Sequence, residues 1–148
     1  MQICKLSHPA MDNKNPSLSG IKVLVVDDNE DTLALTELML SLCGAEVTAS
    51  PTAADGLEQV RMQRLDIIIS DISMPYIDGY QFIRAVRDLP TDKGKHTPAL
   101  AFTAFNAPEY RARSFDAGFQ AHLSKPASLE VLVETITGMI NLPGDLPN

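Results

Sequence analysis

Five short apolar runs divide the chain, at residues 21–26 (IKVLVV), 45–50 (AEVTAS), 66–71 (DIIISD), 98–102 (PALAF) and 119–123 (FQAHL). Three consecutive isoleucines, Ile67, Ile68 and Ile69, leave no polar alternate, which suits a strand covered on both faces. Between the runs the apolar residues recur at helical spacing: Leu33, Leu35, Leu38, Met39, Leu40 and Leu42; Ala53, Ala54, Leu57, Val60 and Met62; Phe82, Ile83, Val86 and Leu89; and Val131, Leu132, Ile136, Met139 and Ile140. A shorter helix is expected over residues 109–117, with Pro108 at its first position.

Local signals set the ends of these elements. Asn29 or Glu30 starts the first helix, where acids suit the positive end of the dipole, and Gly44 stops it. Pro51 is expected to open the second helix. Pro75 cannot continue a central ladder, and the pair Asp78-Gly79 reads as a turn, so residues 73–79 form a loop. Residues 91–95 make a polar connection, Gly118 closes the fourth helix, and Ser128 can cap the fifth. Strand and helix alternate five times, (βα)5. With short links this implies a parallel sheet between two layers of helices, a three-layer doubly wound α/β domain.

Residues 21–141 carry that pattern. Residues 1–20, rich in Ser, Asn, Pro and Gly, read as a flexible leader, and residues 142–148 as a tail. The eight residues after Ile140 are too few for an output module within this sequence. The formal net charge is −7, which disfavours direct binding to phosphate backbones. No apolar run approaches the roughly 18 residues of a membrane span, and no secretory signal is visible, so the cytoplasm is the expected compartment. Two cysteines, Cys4 and Cys43, make no disulfide framework.

Chemistry collects at the carboxyl ends of the strands, where open α/β sheets place their ligands. Asp27 and Asp28 follow the first strand, Asp71 ends the third, Thr103 the fourth and Lys125 the fifth. Adjacent strand ends lie about 4.8 Å apart, so these groups can meet. Neighbouring carboxylates repel unless a cation intervenes, and a few oxygen ligands with open positions suit Mg²⁺. A lysine ammonium can neutralise a phosphoryl oxygen and a threonine hydroxyl can donate to another. Phosphoryl transfer needs a metal, a cation and an in-line nucleophile, and a carboxylate can be that nucleophile.

The segments VLVVDDN (23–29), IIISDISMPYIDGY (67–80), ALAFTA (99–104) and LSKP (123–126) resemble the receiver domains of two-component response regulators. The resemblance implies a flavodoxin-like, CheY-like sheet of strand order 2-1-3-4-5. It implies that Asp71 accepts a phosphoryl group from a histidine kinase or histidine phosphotransfer protein. Asp28, Asp71 and the main-chain carbonyl of Ser73 would ligate Mg²⁺, with Asp27 acting mostly through water. Lys125 would pair with Asp71 and then with the phosphate; Thr103 would bond the phosphoryl oxygen and draw the following loop inward. Ser73 and Phe105 would tune hydrolysis of the acyl phosphate, and small Ala104 would leave it accessible.

Two positions depart from the family pattern. The switch residue, three before the lysine, is usually Tyr or Phe and here is His122; such a histidine is similar to receivers fused to hybrid kinases. It is expected either to swing inward with Thr103 or to stay a partly exposed strand residue. Ala127 stands where many relatives have Phe. The implied activity is that of a signalling module, not an enzyme beyond its own phosphorylation and dephosphorylation, with output through a downstream protein or onward phosphotransfer. A phosphate-independent scaffold is one alternative. A small aspartate-nucleophile phosphatase is another, although such enzymes want a second acid where Ser73 stands.

Overall fold

The computed structural model describes residues 17–90 and 93–140. The expectations for residues 1–16 with Cys4, for the tail 142–148, and for Thr91 and Asp92 of the polar connection lie outside the described residues.

The elements run β1 (Lys22–Val26), α1 (Glu30–Leu42), β2 (Glu46–Ser50), α2 (Ala53–Met62), β3 (Ile67–Ser70), α3 (Gly79–Arg87), β4 (Ala99–Thr103), α4 (Pro108–Ala117), β5 (Ala121–Ser124) and α5 (Leu129–Ile140). All five strands are parallel in the order β2-β1-β3-β4-β5. The period of two along each strand sorts the apolar residues into two cores. Leu24, Val26, Ile68, Ala99 and Ala101 face α2, α3 and the end of α4, against Val60, Phe82, Ile83 and Val86. Val23, Val25, Ile67, Ile69, Leu100 and Phe102 face α1 and α5, against Leu33, Leu40, Leu132 and Ile136. Both faces are covered, which is why the runs carry no polar alternation. Each of the three buried isoleucines contributes about 1.5–3 kcal/mol.

Four local features correct the sequence reading or add to it. Three of the five α1 leucines do not reach the core: Leu35, Leu38 and Leu42 are 56%, 56% and 60% exposed. A helix presents only one stripe to a sheet, and six apolar residues exceed that stripe. Second, Thr52, not Pro51, starts α2; its hydroxyl accepts from Asp55 N at 3.0 Å, with Pro51 just outside. Third, Asp78-Gly79 is a helix start, not a free turn. The Asp78 carboxylate accepts from Gln81 N and the Gln81 side chain accepts from Asp78 N, both at 2.9 Å, a reciprocal capping box. Last, the leader expected to run to residue 20 is ordered at its end. Leu18 is fully buried in the α1/α5 core, and its N–H donates to Cys43 O at 2.9 Å. One apolar side chain in a polar stretch was enough to dock it.

The Asp78 cap holds the first turn of α3 directly after the Asp71 loop. Asp78→Ala should lower stability by about 1 kcal/mol in urea unfolding, with an unchanged dependence on denaturant concentration.

Candidate functional site

The register brings the strand ends level. Val26 lies beside Ser70, Ser70 beside Ala101, and Thr103 beside Ser124. The ladders continue one bond further: Asp27 N donates to Ser50 O at 3.2 Å, Asp71 N to Val26 O at 3.0 Å, and Lys125 N to Thr103 O at 2.9 Å. The residues just past the strands are therefore held by the sheet itself.

Asp27, Asp28 and Asp71 each bring a carboxylate oxygen within 4.8 Å of the others. Asp27 is buried, Asp71 half-buried and Asp28 exposed, so the cluster opens on one side to solvent. Asp27 Oδ1 accepts from Asn29 N at 3.0 Å. Asp71 Oδ1 accepts from Ile72 N at 2.7 Å and Ser73 N at 3.3 Å, which fixes the plane of its carboxylate. Lys125 Nζ reaches the other oxygens, at 2.6 Å from Asp27 Oδ2 and 3.2 Å from Asp71 Oδ2. The lysine expected to pair with Asp71 is thus shared, with the shorter bond to Asp27. Its ammonium also stands 5.5 Å from the centre of the Phe102 ring. The Lys125–Pro126 peptide is cis.

Gly79 lets α3 start against the Asp71 peptide. Its N–H donates to Ile72 O at 2.8 Å, and a Cβ there would collide with Asp71 O. Ser70 Oγ donates to the same Asp71 O at 2.8 Å. Gly79 was read from the sequence only as half of a turn, and Ser70 was not singled out; a glycine and a serine near a turn carry no chemical signal of their own.

Thr103 is buried at the end of β4, and its Oγ1 accepts from Phe105 N at 3.2 Å. Ala104 and Phe105 are exposed. Phe105 packs on Tyr110 with ring centroids 5.1 Å apart. His122 is buried, at 7% exposure, rather than partly exposed on its strand. Nδ1 lies 3.0 Å from Ser114 Oγ and Nε2 lies 3.0 Å from Phe105 O. Burial pushes its imidazole below the usual 6.5; the Phe105 carbonyl pulls the other way, and the Arg111 guanidinium adds to the fall. Arg111 also donates to His122 O at 3.3 Å, and Arg113 stacks 4.3 Å over the Tyr80 ring. Ser114 could not be connected with His122 from the sequence, since its place on α4 gives it no periodic relation to β5.

The response regulator receiver domain family model matches residues 23–137. The chain is similar to an uncharacterised 14.6 kDa protein of Leptolyngbya boryana, 37% identical over 120 residues, covering 81% of this chain and 90% of that one. It is similar to the sensor histidine kinase RcsC of Escherichia coli, 30% identical over 129 residues, covering 87% of this chain but only 13% of the kinase. Among solved structures, the receiver domain of a Pseudomonas aeruginosa sensor histidine kinase superposes with a TM-score of 0.76 at 29% identity. That match covers 82% of this chain and 98% of the other, which has a magnesium ion coordinated in its active site cleft. No helix among the described residues is long and apolar enough to cross a membrane.

Proposed function

The chain belongs to the response regulator receiver family of two-component systems, and on that footing we propose that it is a phosphorelay switch whose phosphoacceptor is Asp71. The observation that carries the reading is the meeting of three carboxylates with one ammonium at the strand ends. Three negative charges against one positive leave a surplus of two, which a divalent cation would neutralise.

The donor set fits Mg²⁺, since the converging ligands are hard oxygens and the cluster is open at Asp28. Asp28, Asp71 and the main-chain carbonyl of Ser73 would hold the ion, with Asp27 acting through water. When bound, such an ion offsets charge on phosphoryl oxygens. The protein's own groups do the rest. The N–H groups of Ile72 and Ser73 hold Asp71 Oδ1, leaving Oδ2 beside the lysine. An Asp71 oxygen attacks phosphorus, forming a P–O bond while the donor's bond to phosphorus breaks; the donor is a phosphohistidine of a kinase or phosphotransfer protein, or a small acyl phosphate. Lys125 then pairs with the phosphoryl group as well as with Asp27. Thr103 follows with a hydrogen bond from its hydroxyl, which shifts the loop after β4. Ser73 and Phe105, at the rim, set how easily water reaches the acyl phosphate. Output passes to a downstream protein or to onward phosphotransfer.

Incubation with acetyl phosphate and Mg²⁺ followed by intact mass measurement tests this. One adduct of about 80 Da is expected, lost when a chelator replaces Mg²⁺. No adduct in either condition would leave a phosphate-independent scaffold, and steady turnover of unrelated phosphomonoesters would make the protein a hydrolase.

A further inference from the structure

A cavity of about 550 Å³ lies where β3 and β4 begin, at the edge of the sheet opposite the one that carries Asp71. One wall is the end of α2 with the segment leading to β3, residues 60–65; the other is the turn ahead of β4, with Lys93, Gly94, His96 and Thr97. Both walls are fixed by the fold. Gly94 has a φ of 103° and lies against α2: a Cβ there would stand 2.5 Å from Val60 Cγ1. Arg87 Nη1 donates to Lys95 O at 2.8 Å and to Thr97 O at 2.7 Å, and Lys95 Nζ donates back to Arg87 O at 2.6 Å. Lys95 is thus used inside the turn, and Lys93 and His96 line the cavity instead. On the facing wall, Gln63 Nε2 donates to Thr48 Oγ1 at 3.2 Å and to Gln59 Oε1 at 3.0 Å.

The lining holds three cations, Arg61, Arg64 and Lys93, and the imidazole of His96, but no acid. In a chain of net charge −7 this is a local inversion of sign. Among the described residues none of the four has a carboxylate in ion-pair contact; the pairs formed are those of Lys125. Asp66, two residues past Arg64, is engaged elsewhere, where its carboxylate accepts from Lys22 N at 2.8 Å. The dipole of α2 draws a cation to its last turn and accounts for Arg61. It does not account for Lys93 and His96, which come from a different segment. A cleft lined by charges of one sign concentrates the opposite ion. Apolar Val60, Met62 and Leu65 complete the lining, and Met62 is 69% exposed. The volume falls in the range of small-molecule sites, about 300–1,000 Å³.

We propose that this cavity is a binding site for a nucleotide-sized organic phosphate, with its phosphoryl oxygens on Arg61, Arg64 and Lys93 and its apolar part against Met62 and Leu65. Guanidinium groups match phosphoryl oxygens two bonds at a time, and an ammonium adds a compact charge. A bare inorganic anion satisfies the cations but leaves the apolar side of the cavity in water; an organic phosphate fills both. The site uses none of Asp27, Asp28, Asp71 or Lys125, and the length of β3 lies between it and Asp71. Its ligand therefore does not compete with a phosphoryl group at the other edge of the sheet.

The test is titration of the full chain with ATP and, separately, with GTP, followed by amide NMR and calorimetry. Low salt and a chelator in place of Mg²⁺ keep the probe off the acidic cluster, which repels it. At least one nucleotide should bind saturably, with the Leu65 and Gly94 amide signals moving together, and the affinity should fall as salt is raised. Arg61→Gln and Arg64→Gln should each weaken binding roughly tenfold, the worth of a hydrogen bond to a charged group. Arg111→Gln removes the same charge from α4, outside the cavity, and should bind as wild type does. Tripolyphosphate, which has the charge without the apolar part, should bind roughly threefold to tenfold more weakly than the better nucleotide. Asp71→Asn should bind the nucleotide unchanged, so a failure of the phosphoacceptor reading leaves this site standing. No saturable shift at Gly94 with either nucleotide, unchanged affinity in both cavity arginine variants, or tripolyphosphate binding as tightly as the nucleotide overturns the proposal.

Discussion

Asp71→Asn abolishes the acetyl phosphate adduct, a loss of more than about a hundredfold in labelling, because an amide nitrogen or oxygen is a poor nucleophile where a carboxylate stood. The fold survives the change. Lys125 keeps its 2.6 Å bond to Asp27, and one of three mutually repelling charges disappears. The stability change should therefore stay within about 1 kcal/mol. Intact mass after incubation, read beside thermal unfolding of the same sample, separates loss of the nucleophile from loss of the domain. An adduct of undiminished yield on the Asn variant would move the phosphoacceptor elsewhere, and Asp27, Asp28 and the other acids would then have to be mapped by peptide mass.

Gly79→Ala has the second largest expected effect, and it acts through geometry alone. A methyl group at this position meets Asp71 O, and comes 2.7 Å from Ile72 Cα and 3.1 Å from Asp71 C. All three are backbone atoms, so no side-chain rotation relieves the contact. Either α3 backs away and gives up the Gly79 N–H bond to Ile72 O, or the Asp71 peptide shifts. The cost should be about 1–3 kcal/mol in chemical unfolding. Displacement of the nucleophile should slow adduct formation by roughly tenfold or more. Gly138→Ala is the matched control. It sits on the exposed side of α5, a Cβ there has nothing within 4 Å, and alanine in a helix should gain about 0.5–1 kcal/mol with labelling unchanged. Equal behaviour of the two alanine variants would mean that α3 does not press on the phosphoacceptor loop.

The two helix stops read from glycine, at Gly44 and Gly118, both have positive φ in the structure, 97° and 131°. A local backbone requirement of this kind is visible in one residue type. The exposed leucines of α1 were not visible in the same way. Leu33 and Leu40 differ from Leu35, Leu38 and Leu42 only in the direction they point, and composition carries no direction once a helix is apolar on more than one side.

The alternation of strands and helices, and the position of Asp27, Asp28, Asp71, Thr103 and Lys125 at strand ends, could be read from the order of residues alone. Periodicity, glycine and proline act over a few residues, and a strand's end can be read where its apolar run stops. Packing in three dimensions was needed to show which carboxylate the lysine holds more closely, that Leu18 is buried in one core, that a Cβ at Gly79 would collide with Asp71 O, and that His122 is joined to Ser114 and Phe105. Each of these depends on the distance between atoms far apart along the chain. Such distances are set when the sheet fixes its register and the helices settle on it, and no local pattern encodes them.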